Sequence, residues 1–300
     1  MTPHSHTLPR STWLLLLTLT LGWGFNWPTM KIALAQMPVW TFRGTCVIGG
    51  TVGMFVLMRA TRLTLLPPRE HWPRLALTSL FNVTLWNVFI AYGLTYLPAG
   101  RSVIIAYTMP LWTMILSALV LHEPLSRRKL LGAGLGTAGM AVLIGHELSA
   151  VRAAPVGALL VLAAALSWAV GTVLMKRYPT RMPTASFTGW QLLIGGAPIV
   201  LGALVLEANR SYSVDWRGLA ALAYNIVVAF VYCYWAWFKI VGQAPASVSA
   251  LGTLMIPVVG VFSSMLVLGE RPSASEYAAL ALVLGSIATV LRPGRKTAVR

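Results

Sequence analysis

Long runs of apolar residues, separated by short polar or basic segments, dominate the sequence. The runs span residues 12–30, 38–58, 75–94, 98–121, 130–145, 155–175, 184–206, 218–238, 245–268 and 277–291. Most reach the roughly 17–25 residues with which an α-helix crosses the hydrocarbon core of a bilayer, and the fifth and tenth are nearer the minimum. The pattern predicts an all-α polytopic membrane protein with ten transmembrane helices.

The composition excludes an ordinary soluble domain. Hydrophobic residues make up 57% of the 300 residues and charged residues only 10%, and the mean hydropathy is +0.73. Soluble domains carry roughly 25% charged residues. The 18 prolines and 26 glycines also fit membrane helices, which tolerate both residue types.

The net charge of +16 follows the predicted sides of the membrane, which argues against a nucleic-acid-binding surface. Of the 23 lysines and arginines, 16 fall in segments on the side of the amino terminus and 6 in the opposite segments. Because basic loops stay in the cytoplasm, we expect both termini to be cytoplasmic and the protein to lie in the cell inner (plasma) membrane. The expected partners are the lipid bilayer and a small-molecule substrate.

The chain also repeats itself. Residues 21–31 and 166–176 share four identities at a constant offset of 145 residues. Further along, an offset of 147 residues relates Pro110 to Pro257. We therefore expect two five-helix repeats, over residues 12–146 and 155–292, with cytoplasmic tails at 1–11 and 293–300.

Two repeats of five helices have opposite orientations in the membrane, because five is an odd number. Inverted repeats of this kind are typical of secondary transporters, in which the substrate site lies near the midplane between the repeats. The repeat therefore favours a transport function as well as a fold.

Several short motifs resemble one known family. These are the Trp-Gly…Lys pattern from Trp23 to Lys31, Leu-Gly-Glu at 268–270 with Leu-His-Glu at 121–123, and the Pro-Ala pairs at 98 and 245. They resemble the EamA repeats of the drug/metabolite transporter superfamily, over nearly the whole chain. The resemblance implies ten helices with both ends cytoplasmic. The third and eighth runs, rich in Trp and Tyr, are similar to those of aromatic amino-acid exporters of the YddG type. In the second repeat, Ala169 departs from the pattern where the first has Gly24.

Aromatic and asparagine side chains are the candidate substrate-binding residues. Tryptophan and tyrosine gather at membrane interfaces whatever the function, but Trp86 and Trp168 lie well away from the ends of their runs. A wall of aromatic rings favours a planar, partly apolar solute. The predicted binding residues are Trp23, Asn26, Trp27, Asn82, Trp86, Tyr107, Trp168, Tyr232 and Trp235.

Three prolines are candidate hinges. Pro28 removes an amide hydrogen bond within the first run and is expected to kink its helix. Pro110 and Pro257 are related by the repeat and lie near mid-run, which suits a pair of hinges that let the halves rock. The alternative for Pro28 is that it only shapes helix packing, and the alternative for Pro110 and Pro257 is that they reflect duplicated ancestry without any moving part.

The charged residues are informative through their positions. Arg43, Arg101 and Lys239 lie near the ends of runs, so we expect their side chains to extend toward the interface. Aspartate and glutamate do not occur in the middle of any run, so a carboxylate proton relay has no evident place. The pattern contains no metal-ligand cluster, no cofactor-binding motif and no Ser/His/Asp arrangement, and we expect no metal, no cofactor and no enzymatic activity.

The sequence thus favours an exporter of aromatic amino acids or related small aromatic metabolites that works by alternating access and is facilitative. A broad efflux carrier for planar cations is the alternative within the same class, although no buried carboxylate is available to hold a cation. An intramembrane enzyme is the alternative from another class.

Overall fold

The computed structural model describes residues 10–63, 66–122, 127–148, 154–180, 182–243 and 255–291, and every regular element among these residues is helical. We label the helices in chain order. Seven are uninterrupted α-helices: α1 (Arg10–Leu34), α2 (Val39–Ala60), α5 (Arg127–Leu148), α6 (Ala154–Arg177), α7 (Thr184–Leu206), α9 (Ile256–Leu268) and α10 (Ala274–Leu291).

The remaining helices change their geometry along their length. Helix α3 consists of a 3-10 turn (Arg69–His71), an α-helical part (Trp72–Ser79), a π-helical part (Leu80–Leu85) and a second α-helical part (Trp86–Tyr96). Helix α4 consists of Ala99–Ala106 and Met109–Val120. Helix α8 consists of Trp216–Tyr224, a π-helical part (Asn225–Cys233) and Tyr234–Gln243.

Six of the described helices are long and apolar enough to cross a membrane: Val39–Ala60, Arg69–Tyr96, Ala99–Val120, Pro155–Arg177, Thr184–Leu206 and Trp216–Trp237. The all-helical architecture of a polytopic membrane protein is therefore confirmed for the described part of the chain. Four expected features lie outside the described residues: most of the two tails, Glu123, the Pro-Ala pair at 245 and the start of the ninth run.

The helices pack in pairs that join the first half of the chain to the second. Helix α1 packs against α8 and α9, and α6 packs against α3 and α4. Helix α2 packs along α7, and α5 packs along α10. If α1–α5 are relabelled α6–α10, and α6–α10 are relabelled α1–α5, the same pairs of helices are in contact. Each half therefore buries much of its apolar surface against the other half.

Small residues allow α5 to approach α10 closely. Gly136 and Gly139 of α5 lie against Ser286 and Ala279 of α10, and Ser286 donates a hydrogen bond to the carbonyl oxygen of Gly132. Backbones approach closely where a stripe of glycines removes the side chains. The glycine stripe of α5 is therefore used for contact with α10.

Carboxylates hold the ends of several helices across the two halves. Glu270, which follows α9, accepts hydrogen bonds from the amides of Ala99 (2.7 Å) and Gly100 (2.9 Å) at the start of α4. Glu207, which ends α7, accepts from the amide and hydroxyl of Thr41 at the start of α2. The first amides of a helix have no partner within it and favour a negative charge. These acids thus fasten helix ends.

The Leu-Gly-Glu motif has a backbone role as well. Gly269 adopts the left-handed conformation (φ +67°) that ends α9, and glycine is favoured there because it has no Cβ. In the corresponding motif at 121–123, His122 adopts the same conformation (φ +56°). The motif at 121–123 therefore has a residue with a β-carbon at a position where a glycine would be less strained.

Candidate substrate-binding site

A cavity opens among helices α1, α2, α3, α4, α6 and α8, where the two halves meet. Its volume is about 60 Å³, enough for a few water molecules. Of the predicted binding residues, six line it: Trp23, Asn26, Trp27, Trp86, Tyr107 and Trp168. Binding of a solute as large as an amino acid requires these side chains to move apart.

Aromatic rings form the wall between the halves. The ring centroids of Trp86 and Trp168 lie 5.0 Å apart. Tyr234 is in edge contact with Trp168 (6.2 Å) and Trp23 (6.0 Å), and it stacks on Phe230 at 5.5 Å. These separations are within the range of favourable aromatic pairs. The rings come from α1, α3, α6 and α8, so relative movement of these helices reshapes the wall.

Two asparagines supply polar groups beside the rings. The Asn26 Oδ1 atom is buried and has no hydrogen-bond partner among the described residues. Asn87 donates from Nδ2 to the carbonyl oxygen of Val83 at 2.8 Å, and it also lines the cavity. A buried acceptor without a partner is unfavourable, so Asn26 is available to a donor group of a bound solute.

Arg43 also lines the cavity, although the sequence placed it near a helix end. Its side chain is only 2% exposed. Nη2 donates to the sulfur of Met30 at 2.8 Å, and the guanidinium lies 5.0 Å from the ring centroid of Phe42. The expectation that Arg43 extends toward the interface is therefore wrong, because the side chain turns inward between α1 and α2.

Three predicted binding residues lie elsewhere. Asn82 is buried between α3 and α6 and donates to the sulfur of Met175 at 3.1 Å. Tyr232 and Trp235 contact each other at 6.2 Å and pack with a separate apolar cluster around Leu16 and Leu19. The structure does not bring these three side chains to the cavity.

Helix α8 presents to the cavity a different aromatic face from the one that hydrophobic spacing predicts. Hydrophobic spacing in a regular helix groups Asn225 with Tyr232 and Trp235. A π-helix has more residues in each turn than an α-helix, so the residues after it are rotated. In α8, Phe230 within the π-helical part and Tyr234 directly after it line the cavity. In α3 the π-helical part ends directly before Trp86, which also faces the cavity.

The candidate hinge prolines have different surroundings. Pro28 lies within α1, which is helical throughout, and the carbonyl oxygen of Gly24 that its missing amide leaves free accepts a hydrogen bond from Ser263 of α9 (3.2 Å). Pro110 is the second residue of the second part of α4, just after an interruption at Tyr107 and Thr108. Pro257 is the second residue of α9, and the residues at 251–254 before it lie outside the described chain.

The other charged groups near the helix ends lie away from the cavity. Arg101 forms a salt bridge with Glu276 (3.1 Å), and Lys239 lies over the ring of Trp235 at 4.6 Å. Lys31 donates to the carbonyl oxygens of Leu94 and Leu97 at the end of α3. Among the lining residues that the structure describes, none is an aspartate or a glutamate.

The comparison with protein families decides the class of the protein. The sequence model of the EamA-like transporter family matches residues 10–145 and 155–292. The chain belongs to this family. The resemblance of its motifs to EamA repeats is thereby confirmed, and the chain is a transporter and a multi-pass membrane protein.

Individual relatives span almost the whole chain. An uncharacterized transporter of Bacillus subtilis, YvbV, is 33% identical over 291 residues, covering 94% of this chain and 92% of the relative. Proteins named probable amino-acid metabolite efflux pumps are 27% identical in Salmonella typhimurium, covering 93% of this chain and 94% of the relative, and 26% identical in Escherichia coli, covering 92% and 93%.

A solved crystal structure shares the fold. It has a TM-score of 0.67 and 23% sequence identity and covers 94% of this chain and 97% of the other. At this identity the likeness concerns the fold alone.

Proposed function

We propose that this EamA-like transporter exports aromatic amino acids or related small aromatic metabolites across the cell inner membrane, with both termini cytoplasmic. The observation that carries the proposal is the cavity wall of Trp23, Trp86 and Trp168. Three well-placed aromatic contacts supply a few kcal/mol beyond burial, at about 0.5–1.5 kcal/mol each. Total binding of about 4 kcal/mol corresponds to a dissociation constant of about 1 mM, which suits a carrier that must release its cargo.

The relatives named amino-acid metabolite efflux pumps support the direction of transport and the general class of cargo. Within the class of amino acids and their metabolites, the aromatic wall favours cargo with a planar side chain.

The proposed transport cycle is alternating access between two inverted five-helix repeats, within a ten-helix layout. The exchangeable packing of α1–α5 and α6–α10 supports this proposal. The interruption of α4 at Tyr107 and Thr108 lies next to the cavity, since Tyr107 itself lines it, and this position supports a hinge there. Rocking about such points would enlarge the cavity toward one side at a time.

Transport is proposed to be facilitative, driven by the gradient of the cargo. Carriers that couple to protons commonly use Asp, Glu or His side chains in the membrane. The lining of the cavity within the described residues contains none of the three.

Counterflow in proteoliposomes tests the proposed function. Liposomes loaded with unlabelled tryptophan are expected to take up labelled tryptophan, and external phenylalanine is expected to compete more strongly than threonine. Equal competition by phenylalanine and threonine would refute the aromatic specificity. Stronger competition by a planar cation such as ethidium would instead support the broad cation carrier.

A further inference from the structure

Arg43 is a buried positive charge that the protein itself leaves poorly compensated. Its side chain is 2% exposed, and its Nε atom has no hydrogen-bond partner among the described residues. The one hydrogen bond of its guanidinium within the described chain goes to the sulfur of Met30. A thioether is a weak acceptor, so most of the donor capacity of the guanidinium is unused.

Among the residues that the structure describes, the surroundings of Arg43 offer no anion. The ionisable side chains that interact with its charge are Cys46 and Tyr234, and neither is a carboxylate. Within the described residues, no salt bridge joins Arg43 to an aspartate or glutamate. Buried charges in proteins are otherwise paired or bound to a ligand. The arrangement therefore favours a negatively charged group that arrives with a solute.

The guanidinium lies at the site where such a solute would bind. Arg43 lines the same cavity as Trp23, Trp86 and Trp168. An arginine side chain presents parallel N–H donors that match the two oxygens of a carboxylate. A solute that carries both an aromatic ring and a carboxylate would place the ring among the tryptophans and the carboxylate on Arg43.

The charge is present in only one half of the chain. Phe42, Arg43 and Gly44 correspond, at the offset of 145 residues, to Phe187, Thr188 and Gly189. Thr188 is buried, and its hydroxyl donates to the carbonyl oxygen of Thr184 at 2.9 Å in its own helix. The two halves differ here in charge while keeping the neighbouring residues, and among the described residues that line the cavity Arg43 is the one lysine or arginine.

We propose that Arg43 binds the carboxylate of the cargo while the aromatic ring lies against the tryptophans. This inference rests on the proposed function and specifies its substrate class as aromatic compounds that carry a carboxylate. The amino group is then less important than the carboxylate, and aromatic amines without a carboxylate are poor substrates because they bring a second positive charge to Arg43.

Three indole compounds separate these requirements in the wild-type protein. Tryptophan has both charged groups, indole-3-propionate has only the carboxylate, and tryptamine has only the amine. In competition against labelled tryptophan counterflow, indole-3-propionate is expected to inhibit within about threefold of tryptophan. Tryptamine is expected to require at least tenfold higher concentration, because a hydrogen bond to a charged group contributes about 1.5–3 kcal/mol, which is a factor of about 10–150.

Substitution of Arg43 provides the second arm. Arg43→Gln is expected to raise the half-saturating tryptophan concentration at least tenfold and to leave inhibition by tryptamine unchanged or stronger. Arg43→Lys keeps the charge without the paired donors. Its half-saturating tryptophan concentration is expected to lie between those of the wild type and Arg43→Gln. Arg217→Gln is the matched control, since Arg217 is exposed and lies over Trp216 away from the cavity. Gel filtration in detergent establishes that each variant is folded.

The outcomes separate this inference from the proposed function. If wild-type protein counterflows none of the aromatic compounds, the proposed function fails. If it counterflows tryptophan and tryptamine inhibits as well as indole-3-propionate, the role of Arg43 fails while the proposed function stands. The wild-type comparison decides this even if Arg43→Gln does not fold.

Discussion

The indole rings of Trp86 and Trp168 lie with their centroids 5.0 Å apart and their planes tilted by 57°. One ring belongs to α3 and the other to α6, so the contact joins the two halves of the chain at the cavity. In a tilted arrangement at this distance the rings attract each other, and a planar solute that enters the cavity must replace some of this contact with its own.

Removal of either ring is expected to weaken transport. Trp86→Ala and Trp168→Ala should each raise the half-saturating tryptophan concentration about tenfold, which corresponds to about 1.4 kcal/mol and is the size expected for one aromatic contact with some burial. Counterflow in proteoliposomes measures the effect. Trp216→Ala is the control, because Trp216 is 73% exposed at the start of α8. Normal half-saturation in both cavity variants would contradict the assignment of the site.

A pH step tests the proposed absence of proton coupling. Liposomes with an imposed pH difference and equal tryptophan on both sides are expected to show no net accumulation of labelled tryptophan, because no carboxylate lines the described cavity. Accumulation that collapses when a protonophore is added would contradict facilitative transport. Counterflow in the same liposomes without the pH step serves as the control for active protein.

His122 follows α4 and Gly269 follows α9, and both adopt the left-handed conformation. We expect substitutions at these two positions to have opposite effects on stability. His122→Gly is expected to raise the free energy of unfolding by about 1 kcal/mol, since a β-carbon in this conformation costs about 1–2 kcal/mol. Gly269→Ala should lower it by a similar amount, because its φ is also positive. Thermal unfolding in detergent measures both changes. A lower midpoint for His122→Gly would show that the imidazole makes a contribution larger than the backbone strain.

Two helical glycines differ in the space around them. A Cβ at Gly171 of α6 would overlap Oδ1 of Asn82, whereas a Cβ at Gly134 of α5 would meet nothing within 4 Å. Gly171→Ala is therefore expected to destabilise the protein by about 1–3 kcal/mol. Gly134→Ala should stabilise it by about 0.5–1 kcal/mol through the helix propensity of alanine. Equal unfolding midpoints for the two variants would contradict the close packing of α3 on α6.

Asp215 at the start of α8 predicts a pH dependence of stability. It accepts hydrogen bonds from the amide of Gly218 (2.9 Å) and from Nε2 of Gln36 (2.9 Å). These bonds, the backbone amide foremost, hold the pKa of the Asp215 carboxyl below its ordinary value of 3.8. Its contribution is therefore complete above pH 3.8 and is lost as the pH falls through the lower folded-state pKa.

The measurement compares the wild type with Asp215→Ala. The difference between their unfolding midpoints should be constant from about pH 5 to 7 and should shrink only below about pH 4. Gln36→Ala removes one of the two hydrogen bonds to the Asp215 carboxylate. The difference between the midpoints of Gln36→Ala and Asp215→Ala is therefore expected to be smaller than that between the wild type and Asp215→Ala. A difference that grows toward acidic pH would contradict the assigned direction of the shift.

Much of the fold was predictable because a membrane helix must satisfy its backbone internally and expose an apolar surface to lipid. The run at 184–206 coincides with Thr184–Leu206 of α7, and Pro183 before it marks its start. Trp23 and Trp27 are one helical turn apart, and the sequence alone placed them together at the cavity. Because residues four positions apart lie on the same side of a helix, their common orientation does not depend on how the other helices pack.

The sequence by itself therefore determined the helical class, the approximate lengths of most helices and the transporter family. Only the tertiary structure decided which side chains meet at the centre. The packing of α8, whose π-helical part (Asn225–Cys233) changes the register of side chains along the helix, places Tyr234 at the cavity and leaves Tyr232 and Trp235 outside it. Arg43 turns inward because α1 and α2 enclose it, and hydrophobic spacing along a single helix carries no information about such contacts between helices.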